Sequence, residues 1–171
     1  MVFKPNLYYD NRGYFSEIHN QKMIKKHVGN IDFVQDNESK SCKGTVRGLH
    51  FQKPPYAQSK LVRCVQGKIL DIAVDLRKKS KYFSKVSTNI LSDKNKLQIF
   101  IPKGFAHGFI VLSNSALVSY KVDNYYNQDY EGGILWNDSN LKIDYKINIE
   151  NVIISEKDQN LPPLSKLSNP F

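Results

Sequence analysis

The stretch KLVRCVQGKILDIAVDL (residues 60–76) consists of two apolar, β-branched runs separated by the turn sequence QGK at 66–68. Short runs of this kind, bounded by glycine and polar turn residues, are typical of β-strands. The same pattern recurs on both sides of the stretch. The candidate strands are IDFVQDN (31–37), TVRGLHFQ (45–52), KLVRCVQ (60–66), KILDIAVDL (68–76), KVSTNIL (85–91), LQIFIP (97–102), HGFIVLS (107–113) and ALVSYKVDNYY (116–126).

This spacing of short strands predicts an all-β protein, either a barrel or a double-sheet sandwich, because strands recur every 8–12 residues or so. One early segment, HNQKMIKKHVG (19–29), reads as a short helix that ends at Gly29. We find no internal repeat and no linker, so we expect a single domain over residues 1–171. A jelly-roll barrel with short flanking helices fits best, and its inward-facing polar residues can converge on an internal pocket.

The composition is that of a soluble globular protein, with 40% hydrophobic and 24% charged residues among 171. No apolar run is long enough to span a membrane, and the first residues lack the pattern of a signal peptide. Cys42 and Cys64 are isolated, which fits neither a zinc site nor a disulfide framework. We therefore expect a cytoplasmic protein without a membrane partner.

The formal net charge of +9 favours anionic partners such as nucleic acids or phosphorylated small molecules. The densest basic runs are KMIKKH (22–27) and RKKSK (77–81), but most lysines are spread along the chain. A nucleic-acid-binding protein usually concentrates its basic residues in one patch or stripe. We therefore expect no nucleic-acid partner, and a phosphorylated small molecule remains the better explanation for part of the charge.

Polar side chains are concentrated in GTVRGLHFQ (44–52), which places Arg47, His50 and Gln52 on one predicted strand. Strict alternation would put Arg47 on the opposite face from His50 and Gln52, because side chains alternate along a strand. Gly48 can supply a bulge, and bulges often redirect side chains beside functional sites. The sequence therefore allows Arg47 and His50 to face one pocket.

A second polar stretch, IPKGFAHGF (101–109), resembles the second motif of cupins, which are small jelly-roll barrels. Metal-binding cupins carry a His-x-His pair and a later glutamate in the first motif, where this chain has His50-Phe51-Gln52 followed by Gln58 and Lys60. Two histidines and a glutamine form a poor ligand set. We therefore expect no metal site.

Without a metal, His50 is a candidate general base, because imidazole titrates near neutral pH. A histidine base usually needs a partner that orients it, often a carboxylate. Spacing alone leaves five candidates for this partner: Asp71, Asp75, Asp123, Asp144 and Asp158.

Several longer stretches, in order and spacing, resemble the dTDP-4-dehydrorhamnose 3,5-epimerase family of cupin-fold enzymes. They are DNRGYFSE (10–17), FVQDN (33–37), GTVRGLHFQ (44–52), AQSKLVRCVQGKILDIAVDLRKKS (57–80), IPKGFAHGFIVLS (101–113), EGGILWND (131–138) and ISEKD (154–158). The resemblance covers nearly the whole chain. It implies an isomerase of nucleotide-sugar metabolism that needs no metal, nicotinamide or flavin, and a homodimer that acts on a dTDP-linked 4-keto-6-deoxy sugar.

The resemblance also assigns roles to individual residues. It implies that His50 is the general base, that Asp158 is its paired carboxylate, and that Tyr120 is the acid on the opposite face of the sugar. Lys60 would stabilise the enolate oxygen. Further positions match those that line the substrate site in the family: Arg12, Phe15, Glu17, Gln35, Asn37, Arg47, His107, Tyr125, Glu131 and Lys157.

Among these matched positions, the two arginines suit the diphosphate, because guanidinium groups bind phosphate oxygens in pairs of hydrogen bonds. Either Phe15 or Tyr125 could stack on thymine. Alternatives remain open at this point: a single-centre epimerase, an enzyme for another 4-keto nucleotide sugar, a metal-dependent cupin, or a sugar-nucleotide-binding protein without activity.

Overall fold

Two five-stranded antiparallel sheets face each other and form a jelly-roll barrel, as the strand pattern predicts. The computed structural model describes residues 1–168 and 170–171. The strand order is β1-β9-β6-β11-β4 in the first sheet and β12-β5-β10-β7-β8 in the second, with β2 and β3 as a separate hairpin. The strands are β1 (Val2–Phe3), β2 (Tyr8–Asp10), β3 (Gly13–Phe15), β4 (Gln35–Cys42), β5 (Val46–Gln52), β6 (Lys60–Gln66), β7 (Lys68–Asp75), β8 (Val86–Ser92), β9 (Gln98–Ile101), β10 (Phe105–Val111), β11 (Ser115–Val122) and β12 (Glu131–Gly133).

The apolar core inside the barrel draws side chains from both sheets. Val62 and Val118 come from the first sheet, while Ile69, Phe109 and Val111 come from the second, and all are almost fully buried. This core fills one end of the space between the sheets. Polar residues at the other end are therefore free to line a pocket.

The second sheet is buried on its outer face as well. Leu70 and Ile72 of β7 pack there against Trp136 and Tyr145 from the C-terminal part of the chain. Since β7 is covered on both faces, its residues after Lys68 form an almost continuous apolar run, which is the pattern of a central strand. The same C-terminal part carries the short helix α2 (Glu156–Gln159).

Helix α1 (Gln21–Val28) covers the outer face of the first sheet, where Ile24 packs against Leu61 and Phe100. The side chain of Asn20 caps its N-terminus, and Gly29 ends it with a φ of 99°, a conformation that favours glycine. The predicted helix that ends at Gly29 is therefore confirmed. No helix among the described residues is long and apolar enough to cross a membrane.

Two predicted strands have an end that is wrong by four residues or more, whereas the other predicted strand ends differ by two residues or fewer. The strand predicted at 31–37 begins at Gln35 and runs to Cys42, and Ile31 and Phe33 instead pack beside α1. Strand β4 has one polar face toward the barrel and one toward solvent, so it lacks the apolar alternation that marks a strand. The strand predicted at 116–126 ends at Val122, because Asp123 turns away and accepts a hydrogen bond from the Ser59 amide.

Candidate active site

A β-bulge in β5 sets the direction of the polar residues in GTVRGLHFQ. His50 pairs with His107 and Arg47 pairs with Phe109, so Gly48 and Leu49 lie opposite Gly108 alone. Gly48 has a φ of 113°, and a Cβ built on it would lie 2.7 Å from the carbonyl oxygen of His107. Only glycine fits this position. The extra residue returns Arg47 and His50 to the same side of the strand, as the sequence allowed.

Asp158 of α2 lies directly behind His50. Its Oδ1 is 2.7 Å from His50 Nε2, and its Oδ2 accepts a hydrogen bond from the bulge amide of Gly48 at 3.0 Å. The Ser155 hydroxyl, which caps α2, accepts from the Asp158 amide. Burial would raise the pKa of the Asp158 carboxyl, but the hydrogen bonds from His50 and Gly48 hold this pKa below its ordinary value.

A pocket of about 220 Å³ opens beside this His50–Asp158 pair. It is bounded by β4, β5, β6, β11 and β12, so both sheets contribute to its wall. Six of the residues predicted for the site line it: Gln35, Asn37, His50, Lys60, Tyr120 and Glu131. Phe51, Gln52, Gln58 and Tyr126 complete the lining.

Lys60 and Tyr120 lie together on one wall, with the lysine Nζ 5.9 Å from the centre of the tyrosine ring. Burial lowers the pKa of the Lys60 ammonium to about 8, while the charges of Asp71 and Glu131 oppose this shift. Burial raises the pKa of the Tyr120 hydroxyl. At neutral pH the pocket thus holds a partly desolvated cation beside a protonated phenol.

Glu131 joins two elements at the rim of the pocket. Its Oε2 accepts hydrogen bonds from the Tyr126 hydroxyl at 3.0 Å and from Lys157 Nζ at 2.6 Å. Burial would raise the pKa of the Glu131 carboxyl, but these two hydrogen bonds hold it below its ordinary value. Lys157 precedes Asp158 on α2, so the rim contact also ties the helix to the pocket wall.

Arg47 and His107 lie next to the pocket but are not among the residues that line it. Arg47 donates from Nε to the Ser41 hydroxyl across the gap between the sheets, and its charge acts on Tyr120. His107 is the neighbour of His50 on β10, and its Nε2 lies 2.7 Å from Asp71 Oδ2 in the barrel interior.

Of the two neighbouring tyrosines after β11, Tyr126 rather than Tyr125 contributes to the pocket. Tyr126 lines the pocket, whereas Tyr125 is 62% exposed and lies outside the lining. Tyr126 is not among the residues that the sequence predicts for the site. Tyr126 donates a hydrogen bond to Glu131, which the sequence does predict for the site. A contact of this kind cannot be read from a single sequence.

Arg12, Phe15 and Glu17 lie away from the pocket of their own chain. Arg12 is on the β2–β3 turn and pairs with Asp10, and the Phe15 side chain is 70% exposed on β3. Glu17 accepts a hydrogen bond from Asn20 and borders a separate groove of about 200 Å³ beside α1. The structure therefore does not bring these three residues to His50 within one chain.

The five aspartates that spacing left open have separate partners. Asp71 pairs with His107, Asp75 with Arg77, Asp123 with Lys103, and Asp144 with Lys146, whereas Asp158 pairs with His50. The described residues contain no group of three or more His, Cys, Asp or Glu side chains arranged to hold a metal ion.

Comparison with known proteins agrees with this geometry. The family model of dTDP-4-dehydrorhamnose 3,5-epimerase matches residues 1–166. A dTDP-4-dehydrorhamnose 3,5-epimerase of Shigella flexneri is 50% identical over 161 residues, which are 94% of this chain and 88% of that protein.

Solved structures give the same result. A dTDP-4-dehydrorhamnose 3,5-epimerase from Elizabethkingia anophelis NUHP1 superposes with a TM-score of 0.94 at 50% identity, covering 98% of this chain and 92% of that one. A 3,5-epimerase from Legionella pneumophila Philadelphia 1, in complex with dTDP-4-keto-L-rhamnose, superposes with a TM-score of 0.93 at 42% identity, covering 97% and 88%. The chain belongs to the dTDP-4-dehydrorhamnose 3,5-epimerase family.

Proposed function

We propose that this protein is an isomerase that inverts C3, C5 or both in dTDP-4-dehydro-6-deoxy-glucose to give dTDP-4-dehydrorhamnose. One observation carries the proposal: a single pocket holds a His50–Asp158 pair, the Lys60 cation and the Tyr120 phenol. Family membership supports the same reaction.

The chemistry explains why these residue types belong together. The 4-keto group acidifies the C–H bonds at C3 and C5, because the resulting anion delocalises onto O4. His50 accepts the proton through Nδ1, since Nε2 is held by Asp158, and Tyr120 returns a proton on the opposite face. The Lys60 ammonium stabilises the enolate oxygen. Asp158 fixes the tautomer of the imidazole and stabilises its charged form.

The nucleotide part of the substrate is assigned to the rim. Arg47 and Lys157 supply positive charge for the diphosphate, and Gln35, Asn37 and Glu131 supply hydrogen-bonding groups. Tyr126 would stack on the base in place of Tyr125, and its position in the pocket lining supports this role. His107 supports the pocket from the barrel interior.

Solvent deuterium exchange tests the proposal. Purified, chelator-treated protein should incorporate deuterium at C3 and C5 of the dTDP-4-keto-6-deoxy sugar, read separately by mass spectrometry or NMR. His50→Ala should reduce the exchange by about 10²–10⁴-fold, the usual contribution of a general base. His27→Ala, on the exposed face of α1, should not change it. Tight binding of the sugar nucleotide with no exchange at either carbon would contradict the enzymatic proposal.

We further propose that residues 1–171 act as one domain in a cytoplasmic homodimer. The β2–β3 hairpin exposes Tyr8, Tyr9, Tyr14 and Phe15, and clusters of exposed aromatic residues mark protein interfaces. In such a dimer, Arg12 and Phe15 would serve the partner's pocket. Light scattering should give twice the mass of the chain, and Phe15→Ser should shift the protein toward the monomer, whereas Tyr82→Ser, which removes another exposed ring, should not.

A further inference from the structure

A short segment after β11 carries Tyr126 to the pocket. We call residues 123–127 the rim segment. It lies between Val122, where β11 ends, and the short turn Gln128–Tyr130, so it is outside the strands of both sheets. Contacts other than strand pairing must therefore hold this segment beside the pocket.

Side-chain carboxamides hold the rim segment by its backbone. The amides of residues 125–127 donate in turn to Asn124 Oδ1 at 2.9 Å, to Gln35 Oε1 at 3.3 Å and to Gln52 Oε1 at 2.9 Å. Gln58 Nε2 donates to the carbonyl oxygen of Asn124 at 2.8 Å. Because these backbone groups are paired with side chains, a change in a single glutamine can release part of the segment.

Gln52 differs from the other two glutamines in its burial and in the strand that carries it. Its side chain is only 5% exposed, and it lies on β5 two residues after His50, on the same face of that strand. A backbone amide can only donate, so the Gln52 atom bonded to the Asn127 amide is the oxygen, which fixes the orientation of the carboxamide. Gln52 therefore connects the strand of the proposed base to the segment that carries Tyr126.

Tyr126 is held on both sides. Its own amide donates to Gln35, and its hydroxyl donates to Glu131 Oε2 at 3.0 Å. The next residue, Asn127, is anchored by Gln52 and also caps the turn that follows. The ring is thus held in place without a ligand, and such preorganisation lowers the free-energy cost of binding one.

We propose that Gln52 is a positioning residue of the site, which holds the rim segment so that Tyr126 is ready to stack on the base of the nucleotide. The proposal rests on the proposed function, in which the pocket takes a dTDP-linked sugar. It deepens that function, because it assigns part of the affinity for the nucleotide to a residue that acts through Tyr126. The bond between Gln52 and Asn127 is measured without any ligand.

Backbone hydrogen exchange in ligand-free protein tests whether Gln52 holds the segment. Gln52→Met keeps the length of the side chain but removes the oxygen. The Asn127 amide should then exchange with solvent about 3–10-fold faster, as read by NMR, because one hydrogen bond of ordinary strength is lost. An unchanged exchange rate would overturn the proposal.

Asn95→Ala is the matched control for this variant. Asn95 holds the β8–β9 turn through the same kind of contact, since its Oδ1 accepts from the amides of Ser92 and Leu97 and its Nδ2 donates to the carbonyl oxygen of Ile90. The turn lies outside the pocket lining. Asn95→Ala should lose stability without changing Asn127 exchange. An equal rise in that exchange would show that Gln52→Met acts through a general loss of stability, and the proposal would be wrong.

Gln52→Asn covers the case in which Gln52→Met does not fold. It keeps the carboxamide, but the side chain is one methylene shorter, so its oxygen is withdrawn from the Asn127 amide. The same rise in exchange is expected. Full protection of Asn127 in Gln52→Asn would contradict the proposal.

Calorimetric titration with dTDP tests whether Gln52 acts through Tyr126. Gln52→Met should weaken dTDP binding by about 3–10-fold. In a Tyr126→Ala background the same change should have little further effect, because the ring that Gln52 positions is absent. An equal weakening in both backgrounds would show that Gln52 acts independently of Tyr126, which would overturn the proposal.

The deuterium assay with the dTDP-sugar separates binding from chemistry. Gln52→Met should raise KM by a factor similar to the loss of dTDP affinity, while kcat changes by less than about twofold, because His50, Lys60 and Tyr120 are unaltered. A large fall in kcat at unchanged KM would contradict the proposal. Absence of deuterium incorporation by the wild type would contradict the proposed reaction alone, because the Asn127 measurement and the dTDP titration need no turnover. The two failures are therefore distinguishable.

Discussion

The charge of Lys60 should set the upper end of the pH range in which the enzyme is active. In the proposed reaction its ammonium must be charged to stabilise the enolate oxygen, and burial lowers the pKa of this ammonium to about 8. We expect kcat/KM, which reports on the free enzyme, to fall as the pH rises through about 8. Burial raises the pKa of Tyr120, so loss of its proton should add no further decline in this range. A pH–rate profile that stays flat to pH 10 would contradict the role of Lys60.

Lys60 should also lower the free energy of unfolding of the protein. A lysine whose pKa is lower in the folded protein destabilises it below that pKa, and this penalty is relieved as the pH rises from about 8 toward the unfolded value. Lys60 keeps partial contact with solvent in the pocket, so we expect Lys60→Met to raise the free energy of unfolding at pH 7 by only about 1–2 kcal/mol. Urea unfolding at pH 7 and pH 10 measures this difference, which should shrink at the higher pH. Exchange activity should be lost.

Strand β5 is the element on which the site depends most. Gly48→Ala would place a methyl group 2.7 Å from the His107 carbonyl oxygen, in a backbone conformation with φ of 113°. We expect the free energy of unfolding to fall by about 1–3 kcal/mol and the His50–Asp158 pair to be displaced.

Gly29→Ala is the matched control for this change. Gly29 also has a positive φ, of 99°, but a Cβ there meets nothing within 4 Å. It should therefore lose only about 1 kcal/mol and keep full activity. Equal losses of activity in the two variants would show that the bulge does not position the site.

Helix α2 depends on its cap. Ser155→Ala removes the hydroxyl that accepts from the Asp158 amide, which should cost about 1 kcal/mol and reduce exchange by loosening the carboxylate behind His50. Asn148→Ala removes a comparable cap from the turn Ile149–Asn151. A similar loss of stability without a loss of exchange is expected there, as measured by thermal unfolding and the deuterium assay.

The sequence predicts β5 better than it predicts β4 or the rim. Gly48 signals a bulge because glycine tolerates the conformation that a bulge demands, and the register confirms an extra residue there. In β4 one face lines a polar pocket and the other meets solvent, so no apolar period marks the strand. The three-residue strand β12 is too short for any period, although Gly132 allows Phe51 to pack closely.

At the scale of the whole molecule, the net charge of +9 should act on an anionic substrate from a distance. We expect kcat/KM for the dTDP-sugar to fall as ionic strength rises from about 0.01 M to about 0.3 M, because salt screens this attraction over that range. The value of kcat should change little. A kcat/KM independent of salt would indicate that only contacts inside the pocket matter.

Contacts between residues that are far apart in the sequence are the part of the structure that residue patterns cannot supply. Spacing left five aspartates as partners for His50, and only the family resemblance pointed to Asp158. The fold supplies the physical reason, because the other four are held by other side chains. The position of Arg12, Phe15 and Glu17 is a similar case. Their residue types suit a nucleotide, but a single chain does not bring them to the pocket.

The His50–Asp158 contact joins residues 108 positions apart. A ribosome therefore synthesises His50, the proposed base, long before the carboxylate that contacts it. Until α2 is made, Asp158 is missing both from His50 and from the bulge amide of Gly48. A chain that is cleaved before residue 158 would lack this carboxylate, so on the proposed mechanism we expect it to have lost its exchange activity even where its strands still pair.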